Sequence, residues 1–406
     1  MRDTSKALVT KLGKQVWRLG WVSLFTDVAT EMSYPLLPVF LATMGAAGVW
    51  LGWVEGVAES VAAFVKYFSG ARSDRARARK PYVVFGYALS SLVRPLLALA
   101  TAPWHVVLLR ASDRVGKGVR SAPRDALLAA SIAPDARAYA FGFHQMMDNI
   151  GAVVGPLVAF TLARYAHLSL RHVFALAIVP GMIAVSVLVL GVRDAGAPKP
   201  EADAARASDA SPAPAALDAR VKAYLVAVGI FSLGASADSF LLLRLTRQHL
   251  DVAFVPIAWL SLNAMKAATN VAGGKISDRV GHRSTLLAGW SLYAIVYAIL
   301  PFARTYQATW LIVLAYGFYY GLTEGAERAL LTELAPKSAR GRAFGALHAI
   351  TGAAVLPANA IFGFIFDAHP EIAFWIGASF AAAGALVLAF VRVSGAHERR
   401  GDRKDA

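Results

Sequence analysis

The stretch "YFSGARSDRARARKPYV", Tyr67 to Val83, sets five basic residues and one aspartate between two runs that are otherwise apolar. Such an interruption is expected where a chain leaves a hydrocarbon layer and turns back into it. A core of ~30 Å takes about 20 apolar residues per helix, and Lys and Arg collect on the cytoplasmic side. The rest of the composition agrees. Of 406 residues, 57% are apolar and the mean hydropathy is +0.51, too oily for the surface of a soluble globule. The formal charge of +15 falls mostly in short segments between apolar runs, which marks topology and not a nucleic-acid footprint. The absence of cysteine closes disulfide frameworks, thiolate metal sites and thiol nucleophiles to this chain. Lys6, Lys11, Lys14 and Arg18 precede an apolar run as in a signal peptide. That run carries Asp27 and Glu31 and lacks a small-residue cleavage pattern, so it reads as a first span.

Working outward with a window of about 20 residues, spans are expected near 17–42, 49–70, 82–101, 105–129, 140–163, 172–192, 221–245, 253–274, 285–303, 309–332, 342–365 and 372–392. The expected fold is an all-α membrane protein of twelve transmembrane helices in two pseudo-symmetric six-helix bundles, residues 1–192 and 221–406. Between them, 193–220 reads "RDAGAPKPEADAARASDASPAPAALDAR", too poor in large apolar residues to fold alone, and so a flexible linker. Basic residues gather in the N-terminal tail, 71–80, Arg137, the linker, 275–283, 337–342 and the C-terminal tail. These alternate connections place both termini in the cytoplasm of an inner-membrane protein.

The opening stretch recurs. "GGKISDRVGHRS", Gly273 to Ser284, holds Gly274, Asp278 and Arg279 at the spacing of Gly70, Asp74 and Arg75, offset by 204 residues. A weaker echo pairs "APDARAYAFG" (133–142) with "APKSARGRAFG" (335–345). A tandem of similar halves points to transporter folds whose substrate path lies between repeats. With these motifs the chain resembles the major facilitator superfamily over nearly its whole length. That family's loop signature is a glycine, an Asp-Arg four residues later and further basic residues between the second and third spans. It is matched by Gly70, Asp74, Arg75, Arg79 and Lys80 and by Gly274, Asp278, Arg279, Gly281 and Arg283. The resemblance implies a cytoplasmic gate at Gly70, Asp74, Arg75, Gly274, Asp278 and Arg279 that holds an outward-open state. "GAVVGP" (151–156) is similar to the glycine-proline motif of the family's antiporters, without its trailing glycine pair.

Charges inside the spans carry the functional reading. "FTDVATEMSYPLLP" (25–38) puts Asp27 and Glu31 one turn apart on one face. A carboxylate at membrane depth is costly unless it faces a wet cavity, pairs with a cation or takes a proton. Asp27, Glu31, Asp148 and Asp238 are therefore candidate proton-coupling groups, with pairing to neighbouring arginines as the structural alternative. In "LLRASDRVGKGVRSAPRDALLAAS" (108–131), Asp113, Lys117, Arg120 and Arg124 follow at steps of four, three and four. One stripe results, which must face the cavity or the carboxylates of the first span. Arg114 and Gly118 resemble the family's fourth-span motif. Glu59, Lys117, Arg120, Arg124, Glu324 and Glu327 are the candidate substrate-cavity residues. The resemblance implies that the first, fourth, seventh and tenth spans line that cavity. His144 reads as a loop contact, and Pro35 and Pro38 as a kink in the first span.

No His-Glu-x-x-His, phosphate-cradling loop or Gly-x-Ser-x-Gly elbow occurs, so an enzyme is not expected, and an ion gradient is the expected driving force. The expected partners are a small-molecule substrate, protons and the lipid bilayer, with no nucleic acid, cofactor or metal, for a chain working as a monomer. Export of an amphipathic compound in exchange for protons is the first reading. Proton-linked uptake of an anionic metabolite is the second, and a non-transporting sensor or scaffold the third.

Overall fold

A computed structural model of the protein describes residues 13–45, 47–74, 78–131, 137–194, 217–336 and 339–391, apart from the side chains of 67, 68, 70–74, 137–139 and 271. Both tails and most of the expected linker lie outside these.

Each expected span is a helix. Span 1 is Lys14–Glu31 continued by Leu37–Ala42, span 2 Ala47–Asp74, span 3 Lys80–Val93, span 4 Pro103–Ala130, span 5 Arg137–Arg164, and span 6 Leu170–Leu176 with Ile178–Gly191. Span 7 is Ala219–Gly234 with Ser239–Arg247, span 8 Val255–Val280, span 9 His282–Ile299, span 10 Tyr306–Leu334, span 11 Arg340–Ala368 and span 12 Pro370–Phe390. Among the described residues, nine of these are long and apolar enough to cross a membrane by length and composition. The exceptions are spans 1, 4 and 10, which carry most of the intramembrane charges singled out in the sequence. Span 1 breaks after Glu31 into a 3-10 turn, Tyr34–Leu36, with Pro35 inside it and Pro38 opening the next helix. Proline supplies no amide hydrogen to continue the ladder.

Packing repeats between the halves. Spans 1 and 5, 1 and 6, 2 and 4, 3 and 4, and 3 and 6 pack together, and so do 7 and 11, 7 and 12, 8 and 10, 9 and 10, and 9 and 12. Across the halves, span 2 meets 11 and span 5 meets 8, pairs that a twofold operation exchanges. Small residues set the crossings. A Cβ on Gly273 would stand 1.8 Å from the Gly321 carbonyl oxygen where spans 8 and 10 cross. At the corresponding crossing of spans 2 and 4, the Ser69 hydroxyl donates to the Gly118 carbonyl at 2.8 Å. The loop motif's Gly274 has open space where its Cβ would lie, so it is not a glycine that lets two helices approach. That role falls to its neighbour Gly273.

Arg18 donates to the Gly191 carbonyl, and Arg283 to that of Ala389. These bonds clamp the start of span 1 to the end of span 6 and the start of span 9 to the end of span 12, all on the terminal side of the molecule. On the opposite, far side the halves are joined.

Candidate functional site

The far-side seam begins with glycine. Gly48, Gly52 and Gly56 recur every four residues along span 2. A Cβ on Gly52 would lie 2.2 Å from the Asn359 carbonyl oxygen, and one on Gly363 2.2 Å from that of Gly48. Backbones this close bring the Asp367 carboxylate, at the end of span 11, onto the start of span 2. It accepts from Gly48 N at 2.8 Å and Val49 N at 2.7 Å, capping that helix from the other half. Arg247 of span 7 donates to the same carboxylate. Deeper in, Trp259 Nε1 of span 8 donates to Glu31 Oε2 of span 1 at 2.6 Å, and the Tyr34 ring lies 5.0 Å from the Trp259 ring. Among the described residues, the hydrogen bonds between halves lie on the far side or near mid-depth, the innermost joining Ser60 to the Gly352 carbonyl at 3.5 Å. Among the described residues, no hydrogen bond joins the halves on the terminal side.

A cavity of about 470 Å³ on that side is lined by Asp27, Lys66, Lys117, Arg120, Arg124, Asp125 and Asp148, with Ser23 and Tyr87 among its other walls. It gathers two of the expected proton-coupling carboxylates and three expected cavity residues. Asp27 makes no hydrogen bond or ion pair among the described residues, and Lys117 and Arg120 are its cationic neighbours. Asp148 accepts from Ser23, and His144 Nδ1 lies 3.5 Å from its other oxygen. His144 is thus buried on the same helix face as Asp148, and is no loop contact as its position in the sequence suggested.

The span 4 stripe divides. Lys117 is exposed to the cavity, and Arg124 pairs with Asp125 at 2.8 Å on its rim. Arg120 reaches the wall but is anchored sideways, donating to Ser90 Oγ at 2.8 Å with its guanidinium 4.3 Å from the Tyr87 ring centroid. Asp113, expected to face the cavity or the first span, is buried against span 3. It receives Arg94 at 3.0 Å and Arg110 at 3.4 Å. The reason is the crossing of Gly86 and Gly116, where a Cβ on Gly86 would stand 2.5 Å from the Gly116 carbonyl oxygen. This crossing turns that flank of span 4 toward span 3. Glu59 pairs with Arg114 at 3.1 Å with its side chain half exposed. Glu55, one turn away, is buried, and its Oε1 has no hydrogen-bond partner among the described residues.

In the other half, span 7 opens between Gly234 and Ser239. The freed amides of Ser236 and Ala237 donate to Tyr293 Oη at 3.2 Å and Asn359 Oδ1 at 2.8 Å. Asp238 at this break accepts from Tyr316 at 3.0 Å, from Tyr320 at 2.9 Å and from Lys266. Glu324 accepts from Asn270 of span 8 at 3.1 Å, and the Glu327 carbonyl accepts from Tyr224 at 3.0 Å. Of the gate residues, Asp278 and Arg279 are exposed at the end of span 8. Arg75 lies outside the described residues, as do the Asp74 side chain and the surroundings of Gly70.

Trp259, Asp367, Arg110 and the glycines of span 2 were not singled out from the sequence. The repeat Gly48, Gly52, Gly56 was a legible signal for close helix packing. Trp259 and Asp367 had none, since their partners lie 228 and 319 residues away.

Comparison with known proteins accords with this architecture. The model of the Major Facilitator Superfamily matches residues 19–323 and 258–406. An uncharacterized MFS-type transporter of Methanocaldococcus jannaschii is 28% identical over 388 residues, covering 94% of this chain and 96% of its own. Over 133 residues, 32% of this chain and 33% of the relative, the multidrug resistance protein MdtH of Photorhabdus laumondii is 33% identical. Among solved structures, the nucleoside transporter NupG superposes with a TM-score of 0.76 at 12% identity, covering 93% of this chain and 99% of that one. A bacterial homolog of the human lysosomal transporter Spinster gives 0.69 at 15%, covering 93% and 94%.

Proposed function

From a chain that belongs to the major facilitator superfamily, we propose proton-coupled secondary transport by alternating access, with export of a small amphipathic compound. The protein acts as a monomer in the inner membrane with both termini cytoplasmic, so the terminal-side cleft is open to the cytoplasm. The observation that carries this reading is Asp27, a carboxylate on the cavity wall with no hydrogen bond or ion pair among the described residues. A wet, uncommitted carboxylate at membrane depth is suited to exchange a proton.

Glu31 links such an exchange to conformation. Its carboxylate accepts the Trp259 indole across the far-side seam. A proton on Glu31 weakens this charge-assisted bond and so favours opening on the far side, whereas loss of the proton favours the cytoplasm-open arrangement. Asp148 and Asp238 are further candidates for the proton route. Lys117, Arg120 and Arg124, with Glu59, Glu324 and Glu327, are candidates for the substrate path, and the duplicated Asp-Arg loops for the gate that closes the cytoplasmic side. Export is supported by the partial antiporter motif at 151–156 and by the likeness to the multidrug resistance protein MdtH. Uptake of an anionic metabolite is the second reading, favoured by Lys66, Lys117, Arg120 and Arg124 together on one cavity wall.

The test is proton movement in proteoliposomes of known protein orientation, with a panel of metabolites and drugs, comparing wild type with Asp27→Asn and Arg120→Ala. Wild type should move protons on substrate addition, with a sign that separates antiport from symport, and Asp27→Asn should not. Normal coupling in Asp27→Asn removes Asp27 from the mechanism. If no compound moves protons in wild type, the coupled-transport reading fails and a sensor or scaffold is favoured.

A further inference from the structure

The environment of Lys266 is that of a bound ligand more than of a structural ion pair. Its Nζ stands 3.8 Å from the centroid of the Tyr320 ring and 5.4 Å from that of Trp259, and it donates to Asp238. An ammonium over two aromatic faces and against a carboxylate is the recognition chemistry of organic cations. The seat itself is rigid. Asp238 sits at the break in span 7 and is fixed by the hydroxyls of Tyr316 and Tyr320, and Tyr316 is fully buried in a cluster of rings with Tyr293 and Tyr297. The occupant is not. Lys266 holds its charge on a flexible four-carbon stem, and 16% of its side chain is exposed.

We infer that Lys266 is a tethered occupant of a substrate site, and that the site takes the ammonium group of an aromatic or alkyl ammonium compound, which displaces the lysine into the cleft. An anion fits poorly. The Tyr316 and Tyr320 hydroxyls are committed to Asp238 and the Trp259 N–H to Glu31, so the wall offers an incoming anion a fixed carboxylate and ring faces, both of which repel it. This assignment rests on the reading of the chain as an exporter of amphipathic compounds and narrows it to cations. It also gives the Trp259 bond a second consequence, since the residue that closes the far side forms part of the seat.

The test uses two small aromatic probes of fixed and opposite charge, benzyltrimethylammonium and benzenesulfonate, titrated calorimetrically into the full chain in lipid nanodiscs, with empty discs as the blank. Lys266→Met removes the competitor and should tighten benzyltrimethylammonium about ten-fold or more without any gain for benzenesulfonate. Asp238→Asn keeps the shape of the seat and should weaken the cation about ten-fold, and it serves also if Lys266→Met does not fold. Unchanged or weaker cation binding in Lys266→Met, a gain for the sulfonate, or no loss in Asp238→Asn overturns the assignment. Proton flux in proteoliposomes separates the two readings. Flux driven by benzenesulfonate alone would overturn the cation site and leave coupled transport standing. Tightened cation binding with no flux from any compound would uphold the site and remove coupled transport.

Discussion

Glu31 in the first half of the chain accepts a 2.6 Å hydrogen bond from the indole of Trp259 in the second half, so a membrane-depth carboxylate is part of the contact that closes one face of the cleft. Replacing Trp259 by Phe keeps an aromatic ring against Tyr34 and removes the donor. A hydrogen bond to a charged group contributes about 1.5–3 kcal/mol, so Trp259→Phe should shift the population toward far-side opening by about ten-fold or more. Because the chain has no cysteine, spin labels at Thr43→Cys and Glu371→Cys, two exposed far-side positions, report this directly. A distance distribution identical to that of the labelled parent would deny the bond a role in closure.

Asp367 provides the outer half of the same seam. Asp367→Ala leaves Gly48 N and Val49 N without their acceptor and Arg247 without its carboxylate. Loss of a helix cap alone costs about 0.5–2 kcal/mol. The expected outcome is again a longer far-side distance with the same labels, and a smaller change for Asp367→Asn, whose amide oxygen still accepts. Equal behaviour of the two variants would assign the effect to something other than capping.

The adjacent glycines 273 and 274 should separate cleanly. Gly273→Ala forces a methyl to within 1.8 Å of the Gly321 carbonyl oxygen, and the two helices must move apart at a cost of about 1–3 kcal/mol or more. Gly274→Ala meets open space and gains about 1 kcal/mol of helix propensity. Thermal unfolding in detergent should show a lowered midpoint for the first and an equal or raised one for the second. The reverse order would mean that the loop-motif glycine is the packing glycine after all.

Asp113 holds Arg94 and Arg110 inside the first bundle. Asp113→Asn removes the carboxylate that both buried guanidiniums pair with, a change that costs about 3–5 kcal/mol. A large drop in melting temperature is expected, while Arg124→Ala, which breaks only a pair on the cavity rim, should leave stability nearly unchanged. Similar midpoints for both variants would refute the distinction between an inner triad and a rim pair.

The twelve spans, their duplication and the break near Pro35 were legible in the sequence because each depends on contiguous residues. A helix enters the hydrocarbon layer according to the summed transfer free energy of about 20 neighbours, and a repeat shows itself at a fixed offset. The three spans that are not apolar enough to cross by composition alone, 1, 4 and 10, were also visible in advance as carriers of charge. The assignment of those charges was not. Asp113, Lys117, Arg120 and Arg124 share a stripe by spacing, yet Asp113 is locked to span 3, Arg120 is anchored there while reaching the cavity, and the other two line it. The pairs Glu31–Trp259 and Gly48–Asp367 join opposite halves of the chain. Such pairings depend on how far each helix is rotated about its axis and how closely it approaches its neighbour. Contacts at Gly52, Gly86, Gly273 and Gly363 fix those quantities, and they exist only once the helices are packed.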